Sequence, residues 1–327
     1  MTIKTVQFTH PGGQHSLNHI EKKRGIKEWN TGEHARKFLI ADGQYVIGNK
    51  LSTPKDLLFW GEWEPCSSIK KTFKPADRIL FPTYLHSPFL QLDKRGNVVK
   101  KKSNLNTTTN LKGCSTSCSK TCSPFQNTDP FVFGDCFFYS LCKQRHFSCL
   151  RNLDVGSIIL FGSTISAKRG GPYFALDTVF VVGEKRHYTE KTAQKDLDGF
   201  IPQYYDEIMG FDTKNTEPLV CYKGASFNNP VNGMYSFVPC KPYDEIGFDG
   251  FKRAELRNAD FASIAIPPFN QRKKNPVYIS NNLNSSPNII ISDLAHNKMV
   301  WDRICQILDS QNYKQGLRFR YNVKIEQ

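Results

Sequence analysis

Residues Gly156 to Glu184 read GSIILFGSTISAKRGGPYFALDTVFVVGE. Two runs dense in β-branched and aromatic residues, 156–165 and 173–184, flank the turn-forming stretch SAKRGGP. That pattern predicts an antiparallel hairpin with a long loop. Working outward, GQYVIG (43–48) and LLFWGEWE (57–64) have the composition of further strands, as do PVYIS (276–280) and NIIIS (288–292). Thr192 to Phe211 carries helical spacing that Pro202 should break. Leu294 to Tyr313 is the clearest amphipathic helix, with Met299, Ile304 and Leu308 expected on its buried stripe. Strands dominate, and regular β–α alternation is missing. The expected fold is therefore α+β: a β-rich mixed or antiparallel sheet or partial barrel, with flanking helices and a C-terminal amphipathic helix.

At 327 residues the chain is long enough for a full core, and it reads as one large domain, 1–327. Asp93 to Ser123 differs from the rest. It is polar, with seven basic residues against one acid, and it predicts an exposed Cys/Ser/Thr-rich insertion loop. Lys and Arg outnumber Asp and Glu by 44 to 30, a net charge of +14 that favours an anionic partner such as nucleic acid or a nucleotide. The N-terminus has no apolar stretch of signal-peptide length, and no apolar run is long enough to span a bilayer. A cytoplasmic protein without membrane contact is expected, its ten cysteines acting as thiols or ligands rather than disulfides.

Phosphate-loop, dinucleotide and nucleophile-elbow motifs are all missing. Cys114, Cys118 and Cys122 are spaced C-x3-C-x3-C, which lacks the tighter C-x2-C pairs of zinc sites, so no metal is expected. His15 and His19 stand four apart, yet PGG before them marks a turn rather than a ligand-bearing helix.

The chemistry-bearing residues lie elsewhere. If LLFWGEWEP (57–65) is a strand, Trp60, Glu62 and Glu64 share one face, with the two carboxylates about 6.6 Å apart. Such a pair suits acid–base work or the polar rim of an aromatic pocket; an acidic edge strand paired with lysines is the bland alternative. Asp135 and Asp177 stand in apolar company, where the charged carboxylate is disfavoured and catalytic acids are tuned, although a structural carboxylate fits equally. His10, His15, Asn30, His34, Arg36 and Lys37 are donors suited to phosphate or base contacts, and surface turns account for them as well. Trp60, Trp63, Phe137 and Tyr139 are able to stack on a base, with Asn127 and Asp129 reading its edge. The catalytic or polar set is thus Glu62, Glu64, Asp135 and His10. The binding set is His15, Asn30, His34, Arg36, Lys37, Trp60 and Trp63.

The series FTHPGGQH (8–15), WNTGEHARKFL (29–39), LLFWGEWEP (57–65), YLHSP (84–88), NTDPFVFGDCFFYSLCKQ (127–144), GSIILFGS (156–163), FALDTVFVV (174–182) and NPVNGMYSFVPC (229–240) resembles a family of uncharacterised bacterial proteins. That family is associated with nucleotide-modification-associated domains found near DNA-modification and phage-defence genes. The resemblance implies a nucleic-acid or nucleotide partner and carries over no catalytic residue and no cofactor. The 156–182 hairpin is also similar to the barrel strands of PUA-type modified-base readers, which makes a non-catalytic reader the first alternative. FTHPGGQHSLNHI resembles an N-terminal motif of NAD-consuming ADP-ribosyl transferases, whose central strand motif is not evident here. A structural protein docking its basic face onto an acidic protein partner is the remaining alternative.

Overall fold

A computed structural model describes residues 3–10, 37–73, 84–99, 128–165, 171–245, 252–264, 277–280 and 286–325. The 156–184 hairpin is present as β8 (Ile158–Ile165) and β9 (Tyr173–Tyr188), paired antiparallel from Ile158 opposite Val181 to Ile165 opposite Tyr173. Nearly every residue of the two strands up to Val182 is buried, because β8 and β9 lie inside a sheet covered on both faces. On the β8 side the parallel strand β1 (Ile3–Thr9) follows, then β13 (Asn288–Ser292). On the β9 side lie β10 (Leu219–Gly224) and β7 (Phe138–Tyr139), while β12 (Ala254–Leu256) pairs with the first part of β9.

The second sheet holds β2 (Lys37–Ile47), β4 (Lys55–Gly61), β6 (Tyr84–Leu92), β11 (Val238–Pro242), β14 (Lys314–Leu317) and β15 (Asn322–Ile325). The short β3 (Lys50–Leu51) and β5 (Ser67–Thr72) pair with β2 and β6. Strand β14 pairs with both β11 and β2, so β2, β4, β11 and β14 close into a four-stranded ring. The fold is therefore α+β and strand-rich, with mixed sheets, a partial barrel and few helices.

The sheets share one apolar core. Val179 of β9 and Phe237, one residue before β11, exchange two backbone hydrogen bonds of 2.9 Å. The predicted helical stretch is split around Pro202 into α1 (Ala193–Asp196) and α2 (Tyr205–Met209). Helix α3 (Leu294–Ser310) starts at Asp293, whose side chain accepts the His296 N–H as an N-cap. Its buried stripe is Asn297, Val300, Trp301, Ile304, Ile307 and Leu308. Met299, expected on that stripe, is 47% exposed, since it lies about 200° around the helix from Asn297. After α3 the chain returns as β14 and β15.

Two further expectations are revised. PVYIS is no strand over its described residues 277–280; it is a short irregular segment whose Ser280 exchanges two hydrogen bonds with the Gln7 side chain. Cys66 is disulfide-bonded, against the expectation of thiols throughout, while Cys136, Cys142, Cys149, Cys221, Cys240 and Cys305 are thiols outside any disulfide. Of the expected insertion loop only 93–99 is described. It is a turn in which the Asp93 carboxylate accepts the Arg95 and Asn97 amides, and 100–123 lies outside the described residues. Among the described residues no helix is long and apolar enough to cross a membrane.

Candidate functional site

The β8–β9 register slips once. Phe161 opposes Thr178 and Gly162 opposes Leu176, which leaves Asp177 as the extra residue of a β-bulge. A bulge bends its strand and re-aims the extra side chain, so the simple alternation that placed Asp177 beside Ala175 and Val179 does not hold there. Gly162 makes the close approach possible: a Cβ there would sit 2.2 Å from the Ala175 carbonyl oxygen.

The Asp177 carboxylate lies 3.7 Å from Nη1 of Arg253, and the two side chains are 0% and 3% exposed. The same Nη1 donates to Ser163 Oγ at 2.9 Å. The guanidinium also lies over the Trp60 ring, 5.3 Å from its centroid. One arginine thus ties the bulge of the first sheet to the barrel tryptophan of the second. At the neighbouring strand end, the His10 amide donates to the Gly162 carbonyl, and the His10 ring lies 4.9 Å from that of Phe8.

Strand β4 ends at Gly61, so Glu62, Trp63 and Glu64 follow the strand, and the one-face arrangement expected for Trp60, Glu62 and Glu64 does not apply. The exposed-edge alternative fails too. Strand β4 lies between β2 and β11, and Glu62 and Glu64 are only 7% and 2% exposed. The buried Lys37, opposite Gly61, donates through Nζ to the Trp63 carbonyl. The Glu64 amide donates to Thr128 Oγ1 at 3.1 Å. Each sheet thus holds carboxylates and a cation withdrawn from water, Asp177 with Arg253 in the first and Glu62, Glu64 and Lys37 around the end of β4 in the second, where low dielectric strengthens their interactions.

Other expected site residues are placed differently. Asp135 is not in apolar company: a turn at Gly134, with φ +94°, breaks the run, and the Asp135 side chain is 89% exposed, 3.6 Å from Nε of Arg318. Trp63 is a core residue rather than a stacking platform. Its ring packs on Phe133 and Tyr321, and its N–H donates to the Cys66 carbonyl. Phe137 is buried in the core, and Tyr139 is buried against Tyr222 with its hydroxyl donating to Cys142 O. Asp129 serves the fold, its carboxylate accepting the amides of Ser140, Leu141 and Cys142. His15, Asn30, His34, Arg36 and Asn127 lie outside the described residues. Among the described residues no cluster of three or more His, Cys, Asp or Glu has the placement to hold a metal.

Arg253 and Ser163 were not singled out in the sequence. Arg253 is one of many cations in an unremarkable KRAEL stretch, and only Asp177 within FALDTVFVV signals the pair. Comparison with protein-family models, curated proteins and solved structures finds no match.

Proposed function

We propose that the chain binds a nucleotide unit, as part of a nucleic acid or free, at the junction of its two sheets. The observation that carries this reading is the buried Asp177–Arg253 pair seated on Trp60 at a bulge. Replacing a buried ion pair by apolar residues is often neutral or stabilising, so its presence points to a need for polar groups at that place. An indole with a guanidinium on its face, and the Asp177 carboxylate beside the guanidinium, are the kinds of group that recognise a base and its phosphate. The +14 charge supplies the long-range attraction. By this reading Arg253 and Lys37 meet anionic oxygens, and Glu62, Glu64 and Asp177 meet base or sugar donors. The resemblance to nucleotide-modification-associated proteins is the support for reading such binding as part of a DNA-modification or phage-defence system in the cytoplasm.

The closed four-stranded ring favours a second reading, a non-catalytic modified-base reader of PUA-like type, over an ADP-ribosyl transferase. The test is a titration with labelled single-stranded and duplex oligonucleotides at about 50 and about 200 mM salt. Phosphate-led binding weakens by about 10³-fold or more over that range when six or more phosphates are neutralised. Absence of binding at the lower salt, or a flat salt dependence, removes the reading.

A further inference from the structure

The second sheet ends at β15, which among the described residues pairs with β6 alone. An open strand edge offers a row of backbone N–H and C=O groups to any extended chain, and folded proteins guard such edges. The other strands of this sheet that pair on one side only, among the described residues, are guarded. Strand β3 is two residues long. Strand β5 carries Lys70 and Lys71, and its register with β6 shifts between Ile69 and Lys71, a bulge that interrupts the edge. Strand β15 has neither device. Its four residues run in unbroken parallel register, from Asn322 opposite Phe89 to Ile325 opposite Leu92.

Alternation gives β15 two faces. Val323 and Ile325 share one, and they are 50% and 66% exposed, branched apolar side chains of the kind that stabilise a cross-strand pair. Asn322 and Lys324 share the other. Lys324 does not shield the edge, because its Nζ lies back across β6, 3.8 Å from the centroid of the Phe89 ring. Cations bracket the strand as well. Exposed Arg320 precedes it, and beyond Leu92, the partner of Ile325, exposed Lys94 and Arg95 occupy the next turn. The carboxylate of that turn, Asp93, accepts the Arg95 and Asn97 amides and the Asn97 side chain. Among the described residues, Arg320, Lys324, Lys94 and Arg95 have no carboxylate within ion-pair distance.

We propose that the outer edge of β15 takes an extended segment of a partner protein as an added strand, one in which apolar residues alternate with acidic ones. Main-chain hydrogen bonds to the edge hold such a segment, and its side chains follow from the two faces of β15. Its apolar residues extend the row of Val323 and Ile325. Its carboxylates fall on the face of Lys324 and at the ends, where Arg320, Lys94 and Arg95 stand. A second copy of this chain fits poorly, because it brings the same four cations and a further +14 to the same place. Nucleic acid answers the cations but has no strand to add to the edge. The inference uses none of the residues at the sheet junction and stands apart from nucleotide binding.

The experiment is fluorescence anisotropy of a labelled peptide, EVEVEV with blocked ends, titrated with the intact protein at about 50 mM salt. Saturable binding is expected. It should weaken at least about tenfold when glutamine replaces the glutamates, and again when the two central amides are N-methylated, which removes backbone donors and leaves the charge unchanged. Val323→Asp combined with Ile325→Asp should lose at least about tenfold in affinity. Val323→Thr combined with Ile325→Thr keeps the β-branched shape, so it should leave Tm nearly unchanged while weakening the peptide measurably. No saturation by about 1 mM protein, equal binding of the N-methylated peptide, or undiminished binding by both double variants would overturn the inference. So would a dimer in sedimentation velocity that the aspartate variant dissociates, because a second copy then fills the edge. Displacement of the peptide by a short oligothymidine would do the same, by making the edge a nucleic-acid surface. Oligonucleotide binding at the junction is measured without the peptide and is unaffected by either double variant, so the two readings fail separately.

Discussion

Replacing Arg253 by methionine removes three things at once: the ion pair to Asp177 at 3.7 Å, the 2.9 Å hydrogen bond to Ser163, and the cation over Trp60. Methionine retains much of the apolar volume of the stem, so cavity formation is a small part of the effect. The dominant loss is electrostatic. Breaking a buried pair from one side leaves the other charge in low dielectric and costs about 3–5 kcal/mol. For a chain of this length each kcal/mol corresponds to roughly 1.5 °C in Tm, so a fall of about 5–7 °C is expected. Asp177→Asn should be comparably destabilising. The double variant should be less destabilised than the two singles added together by about 1.5 kcal/mol or more, because neither charge is then stranded. Thermal and urea unfolding of the four proteins measures this. A change in Tm of under about 1 °C for Arg253→Met, or strict additivity in the double variant, would refute the reasoning that this pair organises the junction.

Further outcomes follow from the same structure. Glu62→Gln and Glu64→Gln keep shape while removing charge, so at least one should abolish oligonucleotide binding with little change in Tm; a fall of several degrees with binding intact would instead make these carboxylates structural. Gly162→Ala places a methyl group against the Ala175 carbonyl and Phe174, and should cost at least about 1–3 kcal/mol by denaturant unfolding, while an unchanged midpoint would count against the bulge. Burial, with Cys221 and Asp129 among the lesser causes, raises the pKa values of Tyr188 and Tyr205 well above 10, and burial first, then Asp129, does so for Tyr139. Protonated tyrosines in the folded state then stabilise it below pH 10, and this contribution is lost as pH rises further and the unfolded chain ionises; absorbance at 295 nm should show these three titrating only as the chain unfolds. For Lys143 the sign is opposite. Its folded pKa of about 8 lies below the unfolded value of 10.5, so the unfolded state binds more protons between them and stability should rise across that window, a rise that Lys143→Met should diminish.

What was legible in the sequence was whatever rests on local pattern. The 156–184 hairpin, the split at Pro202 and the helix at 294–310 follow from residue type and period alone. The bulge at Asp177 was not legible, because a register slip of one residue leaves no compositional mark. The same limit explains Asp135: FVFGDCFFY has strand composition, and only the left-handed Gly134 turns its carboxylate to solvent. Trp63 illustrates the converse, a residue chosen for its chemistry that long-range packing on Phe133 and Tyr321 commits to the core. Arg253 lies 76 residues from its ion-pair partner Asp177, and nothing local distinguishes it from the other basic residues. The α+β class was therefore readable from periodicity, whereas the junction of the two sheets exists only once Val179 and Phe237 have joined them.

The most direct measurement of the central claim is photo-crosslinking of the intact protein to a short oligonucleotide containing 4-thiothymidine, at low salt, with the attachment points mapped by mass spectrometry. Binding at the junction predicts crosslinks concentrated in the peptides bearing Trp60 to Glu64 and Arg253, and their loss in Arg253→Met at a temperature where that variant remains folded. Crosslinks confined to other basic segments, and undiminished in that variant, would contradict the account.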